Sequence, residues 1–204
     1  MTAVGALYVG WGTAFCDLDK DGDEDTFVSN GHVIRYPENA PILQKPLLFE
    51  NRDGKRLENV TSGVGPYFLE GHQGRGSAAG DIDRDGDIDF VISRLNQPVA
   101  LLSNTTQTDN HWVSLKLIGR ASPRLPIGAV VRVTTSQGVR MRQLKGGTSY
   151  ASTIDPHLLV GLGSDRSAKS VEIAWPSGEK QSLTQLAGDT SWIVREGESA
   201  VPEH

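Results

Sequence analysis

Apolar and polar residues alternate along much of this chain in short runs, and they hold no helical period over any useful length. The clearest run is His111-Trp112-Val113-Ser114-Leu115-Lys116-Leu117-Ile118, which puts Trp112 on one face of a strand and Val113, Leu115 and Leu117 on the other. Ala129 to Thr134 and Val139 to Leu144 have the same character, and Ser136-Gln137-Gly138 joins them as a hairpin turn. Leu158 to Gly163, Ser170 to Trp175, Gln181 to Thr184 and Ser191 to Val194 follow. Strands at this spacing predict a small β-sandwich or barrel-like domain over residues 110–196. Ser199 to His204 is expected to fray as a tail.

Ahead of the polar linker Thr105 to Asn110 the apolar runs are shorter. Residues 4–9 predict a brief strand, and Ala14-Phe15-Cys16, Thr26-Phe27-Val28 and Phe90-Val91-Ile92 flank two acidic loops. Residues 10–30 align with residues 74–94 without a gap at an offset of 64, with 10 of 21 positions identical, which marks an internal repeat. Leu47-Leu48-Phe49-Glu50-Asn51 likewise resembles Ala100-Leu101-Leu102-Ser103-Asn104. The first copy carries an extra proline-bearing segment, Gly31 to Pro46, expected to be a surface excursion. Arg52-Asp53-Gly54-Lys55 predicts a turn before a strand over Arg56 to Thr61. A unit of about 60 residues made of short strands has the size of a propeller blade, which cannot bury its apolar face alone. Residues 1–104 therefore read as a partial β-propeller, and the whole chain as all-β. Closing a propeller takes more blades than this, so further chain or a partner is expected.

The two loops carry the chemistry. Asp17-Leu18-Asp19-Lys20-Asp21-Gly22-Asp23-Glu24-Asp25 and Asp81-Ile82-Asp83-Arg84-Asp85-Gly86-Asp87-Ile88-Asp89 place carboxylates at loop positions 1, 3, 5 and 9 and a glycine at 6. The residue at position 7, Asp23 or Asp87, can turn its backbone carbonyl inward. Such an oxygen cage suits a hard divalent cation at roughly 2.3–2.6 Å, and calcium better than magnesium, which keeps a compact octahedron and several waters. Aspartate and glycine also crowd into ordinary turns. A plain turn, however, would converge four carboxylates with nothing to offset their repulsion. Position 12, where an EF-hand keeps a bidentate glutamate, is Val28 or Ile92, and the flanks are strands. Two calcium sites are predicted, with Asp17, Asp19, Asp21 and Asp25 in the first and Asp81, Asp83, Asp85 and Asp89 in the second giving side chains.

Composition changes this picture little. A formal net charge of -5 arises largely in the two loops and argues against a nucleic-acid partner. Arg132, Arg140, Arg142 and Lys145 form a modest basic cluster, expected to be an exposed strand face. Cys16 reads as a small buried hydrophobe. No run is long enough for a membrane helix, and Met1 to Val4 carries no signal-peptide pattern, so the chain is expected either not to be exported this way or to lack its true N-terminus. The five histidines form no ligand cluster; His72 is the least implausible as a catalytic group. Gly146-Gly147-Thr148-Ser149-Tyr150 lacks the Lys-Ser/Thr pair of a phosphate loop and reads as a tight turn. The four tryptophans, one per segment, read as packing residues.

Gly10 to Phe15 with Asp17 to Asp25 and Phe27-Val28-Ser29-Asn30-Gly31-His32-Val33 resembles the FG-GAP or VCBS repeat, and Gly74 to Ser93 resembles a second copy. Asn110-His111-Trp112-Val113, Ile127 to Val133, Gly146 to Tyr150, Leu162-Gly163 and Val171 to Gly178 resemble the ASPIC/UnbV domain found behind such repeats in the cartilage acidic protein family. The family's Asn-Arg-x-Ala-Ile-Gly-Ala stretch appears here as Ser122 to Ala129 without the asparagine. The resemblance implies an extracellular or periplasmic protein, a calcium-supported propeller, and more repeats and an export signal ahead of residue 1. A non-enzymatic binding or adhesion module with a protein or glycan partner is the leading expectation. The alternative is the non-catalytic end of a larger enzyme whose active site lies in missing N-terminal blades.

Overall fold

The computed structural model describes residues 7–34 and 37–203. The strand expected over residues 4–9 falls partly outside them, and residues 7–9 form a turn and coil; His204 also lies outside. Among the described residues all regular structure is β, apart from 3₁₀ turns at Thr61–Gly63 and Pro66–Leu69. β1 (Gly10–Cys16), β2 (Asp25–Asn30), β3 (Leu47–Arg52) and β4 (Arg56–Asn59) make one antiparallel sheet in chain order. β5 (Gly74–Gly80), β6 (Asp89–Arg94) and β7 (Ala100–Leu102) make a second sheet of the same order, with three strands.

These sheets repeat the sequence offset strand for strand. β5 and β6 start and stop 64 residues after β1 and β2, and Thr13 faces Val28 as Ser77 faces Ile92. Even the bulge recurs, between Gly10 and Thr13 and between Gly74 and Ser77. Both sheets are open, so the closed propeller is not seen here. The sheets pack on each other through Ala14, Phe27 and Leu48 from one and Ala79, Phe90, Ile92 and Ala100 from the other. Phe27 is fully buried, stacks on Phe90 at 4.6 Å between ring centroids and meets the edge of Phe68 at 6.1 Å.

After the linker come β8 (His111–Ile118), β9 (Val130–Thr134), β10 (Val139–Gln143), β11 (Leu158–Gly163), β12 (Ser167–Ala174), β13 (Lys180–Ala187), β14 (Thr190–Arg195) and β15 (Val201–Pro202). They form two sheets, β10-β9-β12-β13 and β11-β8-β14-β15. Val131, Val133, Val171 and Ile173 of one and Val113, Leu115, Val160 and Val194 of the other share a single apolar core. Neither sheet closes on itself, so the arrangement is a sandwich and not a barrel.

The pattern read for β8 holds: Val113, Leu115 and Leu117 lie in the sandwich core, and Trp112, on the other face, joins the core between the blade-like sheets together with Leu159 of β11. One expectation needs correction: the C-terminal segment does not fray before Glu203. β15 pairs with β14, and the Glu203 carboxylate meets Lys116 Nζ at 2.5 Å and His157 Nε2 at 3.2 Å.

A buried carboxylate pins the loops at one end of the sandwich. Glu196 accepts hydrogen bonds from the Arg120 amide (2.7 Å), the Ser122 amide (2.7 Å), Ser122 Oγ (3.0 Å) and Ser177 Oγ (2.5 Å). Burial would push this group upward, but the Ser177, Ser122 and Arg120 donors hold it at about 2.

Phe27→Ala should destabilise the protein by about 3–5 kcal/mol through the cavity it leaves, as read from denaturant unfolding. Glu196 has a folded-state pKa below its ordinary value of 4.5, so its stabilisation is complete above that pH and is lost as the pH falls toward about 2. Urea midpoints should therefore show Glu196→Gln below the parent near neutral pH, with the gap closing across that acid window.

Candidate metal centres

Each acidic loop joins the first two strands of its sheet, β1 to β2 and β5 to β6. The backbone makes the same turn twice: Gly22 has φ +96° and Gly86 +88°, while Lys20 and Arg84 at position 4 have φ +63° and +67°. Glycine at position 6 takes this left-handed value without the strain a side chain would add. Short side-chain bonds then curl the loop around its own carboxylates. In the first, Asp17 Oδ2 accepts the Gly22 amide at 2.9 Å and Asp21 Oδ1 the Asp23 amide at 2.8 Å. In the second, Asp81 Oδ2 accepts the Gly86 amide at 2.9 Å and Asp85 Oδ1 the Asp87 amide at 2.8 Å. Carboxylate oxygens of Asp17, Asp19 and Asp21 come within 4.8 Å of one another, and so do those of Asp81, Asp83 and Asp85.

The closing aspartates stand outside these triplets. Asp25 accepts the amides of Leu18 at 3.0 Å and Asn51 at 2.8 Å, and Asp89 accepts those of Ile82 at 3.3 Å and Asn104 at 2.9 Å. Each thus ties the start of its loop to the end of the third strand of its sheet. The matching asparagines were visible in the repeat, but their use as backbone anchors was not. At position 7 the side chains also have partners: Asp23 pairs with Arg140 at 2.9 Å and Asp87 with Lys20 at 2.7 Å. Lys20 therefore links one loop to the other.

Charge crowds most tightly in the first loop. Burial pushes Asp17 up to about 7, Arg142 acts against the rise, and the Asp21 charge adds to it. Burial likewise raises Asp25 to about 6 against the opposing amides of Asn51 and Leu18. Asp21 and Asp81 are raised too, first by burial. Glu50, on β3 beside the loop, is raised by burial and, less strongly, by the Asp19 charge; sequence reading had not placed it near this site. Asp17 is 3% exposed, and its Oδ1 is buried without a hydrogen-bond partner. An unpaired buried carboxylate oxygen is costly, and a hard divalent cation is the partner that suits it. The residues present fit such an ion.

The basic cluster is not a plain exposed face. Arg132 and Lys145 are exposed, but Arg140 and Arg142 on β10 reach into the first loop, and Arg142 Nη2 lies 3.6 Å from Asp17 Oδ2. Alternation along β10 could show that these arginines share a face; what that face covers depends on the packing of the two halves. Cys16 is buried as expected, and burial and the Asp25 charge push its thiol well up. His72 is packed away: Nε2 contacts the Tyr67 carbonyl at 2.9 Å and the ring stacks on Tyr67 at 4.0 Å. Its Nδ1 lies 3.3 Å from Arg94 Nη1, so both ring nitrogens have partners. Gly146 to Tyr150 lies along the first strands of the N-terminal sheets, with Ser149 Oγ accepting the Thr13 amide at 3.1 Å and Tyr150 packed on Trp11.

Arg142→Met should leave the buried Asp17 carboxylate without its nearest positive charge. In chelator, denaturant unfolding should show a loss of up to about 3–5 kcal/mol.

Residues 119–201 match the family described as ASPIC and UnbV. The chain is also similar to cartilage acidic protein 1 of Homo sapiens, at 30% identity over 87% of this chain and 26% of that protein. The Mus musculus protein of the same name is 29% identical over 87% of this chain and 27% of its own length. For Xenopus tropicalis the identity is 32%, over 87% of this chain and 27% of the relative. The chain thus spans about a quarter of the length of the curated relatives it matches. An ASPIC and UnbV domain forms much of the C-terminal half, and the chain is a homologue of cartilage acidic protein 1.

Proposed function

We propose that this chain is a calcium-stabilised, non-enzymatic binding or adhesion module, with one ion in each acidic loop. The observation that carries the reading is the buried Asp17 Oδ1, which lacks a hydrogen-bond partner inside a triplet of carboxylates. Asp17, Asp19 and Asp21 hold the first ion through side-chain oxygens, and Asp81, Asp83 and Asp85 the second, with the carbonyls of Asp23 and Asp87 turned inward. Asp25 and Asp89 keep acceptor capacity toward the ion while bonded to amides, because each carboxylate oxygen carries two lone pairs. The role of the ion is structural: it joins the first two strands of each sheet, and its binding energy adds to folding energy. At a calcium concentration 100 times the dissociation constant, each site adds about 2.7 kcal/mol.

Residues 1–104 are on this reading two FG-GAP-type repeats of a propeller, supported by their matching strand limits and shared bulge. Residues 110–196 form the second domain. The partner is a protein or glycan, or further blades of the same kind; Val91 and Leu101, paired across β6 and β7, offer it exposed apolar surface. An extracellular or periplasmic setting suits the homologues' name, which speaks of an acidic protein of cartilage. No helix among the described residues is long and apolar enough to cross a membrane.

Calorimetric titration of the chain with calcium should saturate near two ions and raise the melting temperature. Asp85→Ala should lower the affinity of one site and the thermal gain together. Identical melting curves in saturating calcium and in chelator would sink the reading.

A further inference from the structure

The two loops are twins in backbone and in ligand pattern, yet their surroundings differ. Five successive carbonyls of the first loop accept hydrogen bonds from outside it. Leu18 O takes Asn104 Nδ2 at 2.9 Å, and Asp19 O takes Asn110 Nδ2 at 2.9 Å. Lys20 O takes the Gly163 amide at 3.0 Å, Asp21 O takes Arg140 Nη2 at 3.2 Å, and Gly22 O takes Arg142 Nη2 at 3.1 Å. Four of these five donors come from residues 110–163, beyond the repeats. The Asp17 carboxylate is gripped in the same way: Oδ2 accepts the Gly22 amide of its own loop and, at 3.0 Å, the Gly161 amide of β11. Its second oxygen is the unpartnered Oδ1.

The second loop has no counterpart of this frame among the described residues. Asp81 spends both oxygens on amides of its own loop, those of Asp85 and Gly86. Contact with the C-terminal half is by packing of the Trp112 indole against Gly86. Asp83 and Asp85 are exposed, whereas Asp19 and Asp21 are partly buried.

We infer that the first cation site is composite: β10 and β11 of the C-terminal sheets hold its loop in the binding shape, while the second site belongs to its own sheet. This rests on the reading of the loops as cation sites and adds which part of the chain sets the affinity of each. A loop whose carbonyls are already held outward, with its carboxylates inward, has less freedom to lose when an ion enters. Docking of the C-terminal sheets therefore strengthens binding at the first loop. By linkage the ion strengthens docking by the same factor. Asp17 is where the two meet, with one oxygen bonded to β11 and the other free for the ion.

Gly161 tests this without replacing a ligand, because its amide holds Asp17 from the β11 side. A Cβ at this position would lie 2.4 Å from Asp17 Oδ2 and 2.5 Å from Lys20 O, so Gly161→Ala must push the loop off β11. With the second loop disabled by Asp83→Asn and Asp85→Asn, Gly161→Ala should weaken calcium binding in calorimetry by about tenfold or more. With the first loop disabled instead, by Asp19→Asn and Asp21→Asn, the same change should leave the affinity unaltered. Equal affinities with and without Gly161→Ala at the first loop would overturn the inference, and so would an equal loss at the second. If Gly161→Ala fails to fold, hydrogen exchange on the unmodified chain decides. Calcium should slow the amides of Gly161 and Gly163, which belong to the C-terminal sheets. Calcium binding with unchanged exchange at both amides overturns the composite site and leaves the calcium reading standing; no binding by the unmodified chain overturns both.

Discussion

A carboxylate taken out of water must find a partner, and the position of Asp17 makes that requirement the pivot of this structure. It sits almost fully buried where the first acidic loop meets the C-terminal sheets. Burial raises its pKa to about 7, which measures how poorly the site tolerates the negative charge as it stands. Arg142, the Gly22 and Gly161 amides and, on our reading, a divalent ion share the work of compensating it. The other contacts of the loop follow from the same economy. Carboxylates turned inward leave the backbone carbonyls facing out, and Arg140, Arg142, Asn110 and the Gly163 amide of the second half are placed to donate to them.

The apolar contacts point the same way. Trp112 and Leu159 leave the sandwich to complete the core between the two blade-like sheets. Two three- or four-stranded sheets have little interior of their own, and each must cover one face with something else. Here they cover one face with each other and part of the remainder with β8 and β11. The halves are consequently joined both by an apolar seam and by a polar frame around one loop. Glu196, at the other end of the sandwich, does a comparable job on a smaller scale, gathering two loops around one carboxylate.

Much of the fold could be read before any coordinates. The period-two runs located β8 to β14 to within a few residues, and the offset of 64 gave the second sheet from the first. Both signals are local, because side-chain alternation and turn chemistry are properties of a few neighbouring residues. The clustering of the carboxylates at positions 1, 3 and 5 was legible for the same reason: they are close neighbours on one short turn. The role of Asp25 and Asp89 as anchors of the third strand was not legible, because the Asn51 and Asn104 amides they accept lie 26 and 15 residues away.

What the amino-acid sequence determined by itself was thus most of the strands, the repeat and the spacing of carboxylates in each loop. Tertiary structure alone decided that the two loops are unequal. The sequences of the loops are near copies, so nothing within them distinguishes a loop framed by Arg140, Arg142, Gly161 and Gly163 from one that faces Trp112 across a glycine. Those donors lie more than a hundred residues along the chain. Their approach depends on how two sheets of the sandwich pack against two sheets of the repeats, a non-local matter of shape and buried area that no spacing rule encodes. The tail made the same point in miniature: Ser199 to Glu203 carries little strand signal, yet β14 offered an open edge, and Lys116 and His157 stood ready for the Glu203 carboxylate.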